Sequence, residues 1–340
     1  MLSIGFPRED FARTVSRTAH NILVADIGGT SSRFAHFLIP REDGVPKLHA
    51  TKWLKTKEAQ SFEHLLEKLA ESDFPLRLDD ADNCVFALAG PIEDGIRSTP
   101  PNINWKVDLA QLDSILDIEK DVLINDFLAQ AFAAVSPIGD RAEEILPGAK
   151  SPNGTIAVLG AGTGLGKAAL VRGSDRRLVG CPSEGGHATF PAESAREFEL
   201  YQFIREKTAK PYAVWDDIVS GKGISLVHEF LTGEKLEPAE VAASFERDNE
   251  TLEWSSRLFA RVCRNFALDV LALGGVFIAG GVAAKNPQIL RGPAFAKEFY
   301  SSAKHEDVLR GISVQLMDDE ESGLWGGAYY ALQRISDQEE

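Results

Sequence analysis

Residues 22–37 read ILVADIGGTSSRFAHF, and the layout of this stretch determines the fold that we expect. An apolar run ends in Asp26, a glycine pair and hydroxyl residues follow, and a second apolar run begins after Arg33. Glycines at a strand end permit positive φ and close backbone approach, so backbone N–H groups can converge on an anion. A tight hairpin would explain one isolated glycine pair equally well.

The length of the chain favours two lobes around a cleft. Its 340 residues exceed the usual single-domain size of about 100–200 residues. Residues 1–20 contain basic and acidic side chains but no continuous apolar segment of the secretory type, so we interpret them as an N-terminal arm. No apolar run approaches the roughly 18 residues of a membrane span, which predicts a soluble protein without a membrane partner.

Charge and cysteine content exclude several function classes. The chain has 36 basic and 51 acidic residues, a net charge of −15, which opposes nonspecific attraction to nucleic acid or anionic lipid. The three cysteines are widely separated, without a CxxC pair. We therefore expect no nucleic-acid partner, a reducing cytoplasmic location and no structural zinc site.

Apolar spacing predicts alternating helices and strands in the first half. After Ser61, apolar residues recur at i, i+3, i+4 and i+7 from Phe62, which predicts a helix capped by the serine. Residues 84–90 and 121–126 read as buried strands, and 127–135 are compatible with a helix. This alternation is typical of an α/β protein.

The second half repeats the layout of the first. Residues 155–171, TIAVLGAGTGLGKAALV, again form an apolar run, a glycine- and threonine-rich turn and another apolar run. Aligning the turns sets DIGGT at 26–30 against GAGTG at 160–164. Helices at about 193–205 and from about 252, and a strand ending in glycines at 274–282, follow. Two such halves would place two phosphate-binding turns across a cleft.

The glycine spacing excludes the two commoner nucleotide folds. The segment at 160–166 is GxGxGxG, not GxGxxG, and KAALV after it resembles a strand more than a helix start. A P-loop would need a glycine at Ala161 and a hydroxyl at Ala168. Strand, turn and strand in duplicate remain. Asp26 within such a turn suits the Mg²⁺ that accompanies ATP, since this cation prefers carboxylate oxygen and retains waters; the alternative is a turn or cap carboxylate.

Carboxylate, amide and imidazole side chains gather at three further places: Asn125 and Asp126 after a predicted strand, Glu184 and His187 in PSEGGHATF, and Asp216 and Asp217 in WDDIVSGKG. These groups suit a ligand made of hydroxyl groups, because each can donate to or accept from O–H. Each also has a simpler explanation: a core histidine, a helix cap for either aspartate, or a solvated loop acid for Glu184.

Five motifs in order resemble the bacterial-type glucokinase family of the actin-like sugar-kinase superfamily: ADIGGTSSR at 25–33, LINDF at 123–127, GAGTGLG at 160–166, SEGGH at 183–187 and GGVFIAGG at 274–281. The resemblance begins at about residue 21. It implies a two-lobed, actin-like (ribonuclease H-like) ATPase fold with a central cleft, and a homodimer. The small lobe would comprise residues 21–136 and 320–340, and the large lobe 137–319.

The resemblance also implies roles for particular residues. Asp126 would be the catalytic base, and Asp26 would bind the metal through water. Sugar would contact Asn102, Asn125, Asp126, Glu184, His187 and Asp216. ATP would contact Ala25, Asp26, Ile27, Gly28, Gly29, Thr30, Gly162, Thr163, Gly164, Gly280 and Gly281. Ser31 stands where the family usually has asparagine, and Asp216 where it usually has glutamate.

We therefore expect ATP- and Mg²⁺-dependent phosphorylation of a hexose, with glucose and its 6-hydroxyl as the first choice. Because Asp216 alters the sugar pocket, an actin-like sugar kinase with different hexose specificity is the alternative. A carboxylate kinase would need a basic residue at the acceptor, and a dehydrogenase would bind NAD(H). A nonenzymatic sugar sensor would carry a DNA-binding module or lack the base.

Overall fold

The computed structural model describes residues 18–175, 177–245 and 249–339. Residues 1–17 of the predicted arm lie outside the described residues, and Ala19 and His20 already belong to the first strand. The strands are β1 (Ala19–Ile27), β2 (Ser32–Pro40), β3 (Lys47–Leu54), β4 (Asn83–Leu88), β5 (Ile92–Glu93), β6 (Arg97–Ser98), β7 (Val107–Asp108), β8 (Val122–Asn125), β9 (Glu143–Leu146), β10 (Ile156–Ala161), β11 (Leu165–Arg172), β12 (Leu178–Ser183), β13 (Gly275–Ala279) and β14 (Val314–Leu316).

The helices complete the mixed α/β order. They are α1 (Phe62–Ala70), α2 (Asp126–Ala133), α3 (Pro137–Asp140), α4 (Ala195–Thr208), α5 (Asp216–Val219), α6 (Gly221–Thr232), α7 (Pro238–Ser244), α8 (Asn249–Asp269), α9 (Gly281–Lys285), α10 (Gln288–Arg291), α11 (Pro293–Phe299), α12 (Glu306–Arg310) and α13 (Ser322–Glu339).

Two sheets share one strand plan. The first has the order β3-β2-β1-β4-β8, and the second has β12-β11-β10-β13-β14-β9. In each, an antiparallel hairpin is followed by a strand that pairs in parallel with the hairpin's first strand. The prediction that the second half restarts the plan of the first is confirmed.

The strand registers confirm the alignment of the two turns at the residues where each turn begins. In the first hairpin the last two opposed pairs are Ile27 with Ser32 and Asp26 with Arg33. In the second hairpin the corresponding pairs are Ala161 with Leu165 and Gly160 with Gly166. Asp26 and Gly160 therefore occupy the same register position.

Local sequence signals explain several elements. Ser61 caps α1, because its side chain accepts a hydrogen bond from the backbone N–H of His64, and the predicted apolar face of α1 is buried. Residues after the second glycine turn form β11, as predicted, and not a helix. The long helix α8 begins at Asn249, three residues before the predicted start, where apolar periodicity was not yet visible.

Two helices connect the sheets. One apolar cluster joins Val24 and Val85 of the first sheet to Val158 of the second through side chains of α2 and α13. The two helices approach so closely that a Cβ at Gly326 would lie 1.7 Å from the carbonyl oxygen of Ala129. Since α2 begins at Asp126, this packing fixes the position of the predicted base relative to both sheets.

Candidate active site

The first turn is braced by neighbouring backbone. The N–H of Gly28 donates to the carbonyl of Ser31 (3.1 Å), and the N–H of Thr56, just after β3, donates to the carbonyl of Thr30 (3.1 Å). Neither Gly28 nor Gly29 has a positive φ, so the expectation that these glycines adopt positive φ is wrong. Position 29 requires glycine because the backbone of residue 102 lies close to it: a Cβ at Gly29 would lie 2.6 Å from the carbonyl oxygen of Asn102.

Asp26 and Arg33 form a charged pair at the base of this turn. Burial raises the pKa of Asp26, and the positive charge of Arg33 partly offsets that effect. The guanidinium lies 3.9 Å from the carboxylate, donates to the carbonyl of Glu320 (2.5 Å) and stacks 4.3 Å from the centroid of the Trp53 ring. Sequence reasoning gave Arg33 no role, although its register position opposite Asp26 was a usable signal.

The groups around Asp26 make its carboxylate a suitable oxygen ligand for a cation. A Cβ at Gly323, in the first turn of α13, would lie 3.1 Å from Oδ2 of Asp26, so the amino-terminal end of this helix lies close to the carboxylate. Helix amino termini and guanidinium groups both stabilise negative charge. A carboxylate held in this way provides the hard oxygen that Mg²⁺ or its coordinated water prefers.

A cavity of about 560 Å³ adjoins the second turn. Its lining residues are Gly162, Thr163, Gly221, Ile224, Pro238, Ala239, Ala242, Phe245, Gly281, Val282, Lys285 and Asn286. A Cβ added at Gly162 or Gly281 would meet no atom within 4 Å, so a side chain at either position would occupy open space in the cavity. The volume and the mainly apolar wall suit a nucleoside. Sequence reasoning found the glycines and missed the apolar residues of α6 and α7, which resemble ordinary core positions.

Gly280 has a conformational role at the edge of this cavity. Its φ is +85°, and a Cβ would lie 2.6 Å from the carbonyl oxygen of Ala161. The backbone therefore turns from β13 into α9 directly against the end of β10. This is the position among the predicted nucleotide contacts where positive φ requires glycine.

Asn125 positions Asp126. The Asn125 Oδ1 atom accepts hydrogen bonds from the N–H groups of Phe127 (3.0 Å) and Leu128 (3.2 Å), so the side chain caps α2. Its Nδ2 atom donates to the carbonyl of Gly90 (3.1 Å). The predicted sugar contact thus has a structural task as well, and it fixes Asp126 as the first residue of the helix.

The carboxyl group of Asp126 is influenced by two other acids. Burial, and after it the negative charges of Asp26 and Glu184, raise the pKa of Asp126 to about 6, while the hydrogen bond from the N–H of Phe127 (2.9 Å) opposes the shift. The structure therefore brings together acids from the first turn, the start of α2 and the loop after β12. A carboxyl group with such a pKa suits proton transfer near neutral pH.

Glu184 and His187 lie on an exposed loop. Their side chains are 51% and 66% exposed, and the His187 Nε2 atom lies 3.9 Å from Oε2 of Glu184. The alternative of a core histidine is therefore wrong. The loop packs closely on β11, because a Cβ at Gly186 would lie 2.0 Å from the carbonyl oxygen of Leu165.

The two aspartates of α5 point to different partners. Asp216 accepts a hydrogen bond from the N–H of Leu165 and adjoins Gly164, so its carboxylate is tied to the second turn. Asp217 forms an ion pair with Lys210 (2.6 Å). Neither is the N-cap residue of α5, which is Trp215. Of the two aspartates, Asp216 is therefore the one adjoining the predicted site.

Within residues 18–175, 177–245 and 249–339, no helix combines the length and apolar character needed to cross a bilayer. Within the same ranges, no three His, Cys, Asp or Glu side chains are grouped as metal ligands.

Comparisons with known proteins agree with the resemblance found in the sequence. The family model described as Glucokinase matches residues 23–334. The chain is 30% identical over 329 residues to a glucokinase of Pseudomonas paraeruginosa, covering 93% of this chain and 94% of that protein. It is 31% identical over 322 residues to a glucokinase of Sinorhizobium fredii, covering 91% of each.

A solved structure shows the same fold. The crystal structure of a glucokinase from an Antarctic psychrotroph has a TM-score of 0.75 and 26% identity, covering 92% of this chain and 98% of that one. The predicted two-lobed, actin-like α/β fold is confirmed. The duplicated sheets, the glycine turns and these matches lead to one conclusion: the chain belongs to the glucokinase family.

Proposed function

We propose that this protein transfers the γ-phosphoryl group of ATP to the 6-hydroxyl of glucose. The observation that carries the proposal is Asp126, a carboxyl group with a pKa raised to about 6 at the start of a capped helix. Asp126 accepts the proton of the sugar hydroxyl as that oxygen attacks phosphorus. Membership of the glucokinase family supports both the reaction type and the choice of sugar.

The two glycine turns are the proposed phosphate contacts, through residues 25–30 and 162–164. The nucleoside occupies the 560 Å³ cavity, beside Gly280 and Gly281. Asp26 would hold Mg²⁺ through a coordinated water, and the cation would supply positive charge that offsets the phosphate oxygens. The positive charge of Arg33 favours the ionised form of Asp26 against the effect of burial and lies 3.9 Å from the carboxylate.

The proposed sugar contacts surround Asp126. They are Asn102, Asn125, Glu184, His187 and Asp216. Asn125 gives one amide hydrogen to Gly90, and an amide nitrogen carries a second that can reach a sugar oxygen. Because Asp216 is tied to Leu165, its contact with sugar would link the acceptor to the second turn.

Three broader expectations belong to this proposal. Residues 21–136 with 320–340 form the small lobe and 137–319 the large lobe, whose closure excludes water as a competing acceptor. The enzyme acts as a homodimer. It works in the cytoplasm, in keeping with its widely separated cysteines.

A coupled assay of ADP release over a panel of hexoses tests the function. We expect Mg²⁺-dependent activity with the highest kcat/KM for glucose. The Asp126→Asn variant should retain no more than about one hundredth of the wild-type activity. A higher kcat/KM for another hexose would assign the alternative specificity. Absence of sugar-dependent ADP release from folded protein would refute the proposal.

A further inference from the structure

Lys167 is a buried cation that the proposed chemistry does not use. It lies in β11 and is only 5% exposed. Among the described residues, no carboxylate forms an ion pair with its ammonium group, and its nearest aromatic partner is the Phe266 ring, with Nζ 5.4 Å from the centroid. Burying an unpaired charge is costly, so a lysine in such a place needs a reason.

The ammonium group lies between α8 and the loop that carries Glu184. Lys167 is directly opposite Ser183 in the β11–β12 ladder. A Cβ at Gly185 would lie 3.3 Å from Cδ and 3.5 Å from Nζ of Lys167, so the side chain runs beneath the glycine pair of this loop. Burial lowers the pKa of Lys167, while Asp269 and Cys263 of α8 favour its charged form.

We propose that Lys167 is a positioning residue that holds the 184–187 loop in place for the acceptor sugar. The loop contains two consecutive glycines, which lose more backbone freedom on ordering than other residues. Lys167 supports these glycines from below, because its Cδ and Nζ atoms both lie against Gly185. Ordering before the sugar arrives lowers the cost of binding.

The inference rests on the proposed sugar kinase activity and is tested with Lys167→Met. Methionine has a similar length and no charge, so we expect an unfolding temperature at or above that of the wild type, since a buried unpaired charge is removed. The KM for glucose should rise by about tenfold, the factor for freeing about one ordered backbone residue. The KM for ATP and kcat at saturating glucose should stay unchanged.

The matched control is Lys150→Met. Lys150 also lies over a phenylalanine, with Nζ 5.0 Å from the Phe277 centroid, and donates to Gln315 (2.8 Å), but it does not contact the loop. Its glucose KM should equal that of the wild type. A second test variant, Phe266→Leu, keeps the charge and removes the ring, and should raise the glucose KM by about threefold.

Calorimetric titration with glucose separates loop positioning from a purely structural role. We expect glucose affinity to fall in Lys167→Met while the thermal transition does not. Unchanged glucose affinity and KM in folded Lys167→Met, or in Phe266→Leu if the first does not fold, would overturn the inference. Wild-type protein without sugar kinase activity would instead refute the proposed function, so the two failures are distinct.

Discussion

The two hairpin turns have the same place in their sheets and opposite chemistry. At one register position the first hairpin carries Asp26 opposite Arg33, whereas the second carries Gly160 opposite Gly166. A Cβ at Gly166 would lie 1.9 Å from the ring of Phe127, which follows the predicted base. The first turn therefore holds charge at this position, and the second admits the start of α2.

This difference shows how a duplicated fold becomes an asymmetric site. The strand plan supplies two equivalent turns, and their side chains differ: the first presents the Asp26–Arg33 pair, whereas the second accommodates a neighbouring element. The second turn obtains its carboxylate from α5 instead, because Asp216 accepts from the N–H of Leu165. In the proposed function, the first half of the chain carries the metal and base chemistry, and the second half binds the nucleoside.

The largest effect should come from the base in the first half. Asp126→Ala should lower kcat by roughly 10²–10⁴, the usual contribution of a positioned general base. Glucose binding should weaken but persist, since the other contacts remain. Steady-state kinetics together with glucose calorimetry measure both quantities, and a kcat close to that of the wild type would remove Asp126 from the proposed role.

Thermal unfolding provides the control for this variant. Because the pKa of Asp126 in the folded protein is raised above 3.8, its ionised form destabilises the fold, and this cost develops as pH rises from about 4 through about 6. Asp126→Ala should therefore unfold no earlier than the wild type at pH values above about 7. Earlier unfolding would mean that the kinetic loss reflects damage to the fold.

The next effect compares the acids of the two turns. Asp26→Asn should lower activity at limiting Mg²⁺ by roughly 10–100-fold, the range found when a group that supports a metal is removed. Asp216→Asn should leave the Mg²⁺ dependence unchanged, because Asp216 is tied to the backbone of the second turn. Activity titrated with Mg²⁺ distinguishes them, and equal shifts in both variants would contradict the asymmetry.

The smallest effects concern adjacent glycines in the second half. Gly281→Ala places a methyl group in the nucleotide cavity without a clash, so the KM for ATP should rise by about threefold to tenfold at unchanged folding stability. Gly280→Ala opposes a φ of +85° and should cost about 1–3 kcal/mol of folding stability. Thermal unfolding and ATP kinetics of both variants test these expectations. A loss of stability in Gly281→Ala and a raised KM for ATP with unchanged stability in Gly280→Ala would mean that the cavity is misassigned.

Sequence patterns predicted the duplicated strands because periodicity and glycine turns are local signals. They also identified Asp26, Asp126 and Glu184 as candidates, but their proximity depends on packing across α2 and α13. The pKa of Asp126 therefore could not be anticipated. Apolar cavity residues such as Ile224 and Phe245 look like any core residue until the fold brings them to one wall.

The pH dependence of kcat/KM for glucose tests the central claim most directly. Asp126 must be ionised to accept a proton, so activity should fall as pH decreases through about 6. Glu184→Gln removes one of the negative charges that raise this pKa, and should therefore move the inflection to lower pH. A profile without an inflection between about pH 5 and about pH 7, or an inflection that Glu184→Gln leaves in place, would contradict the account.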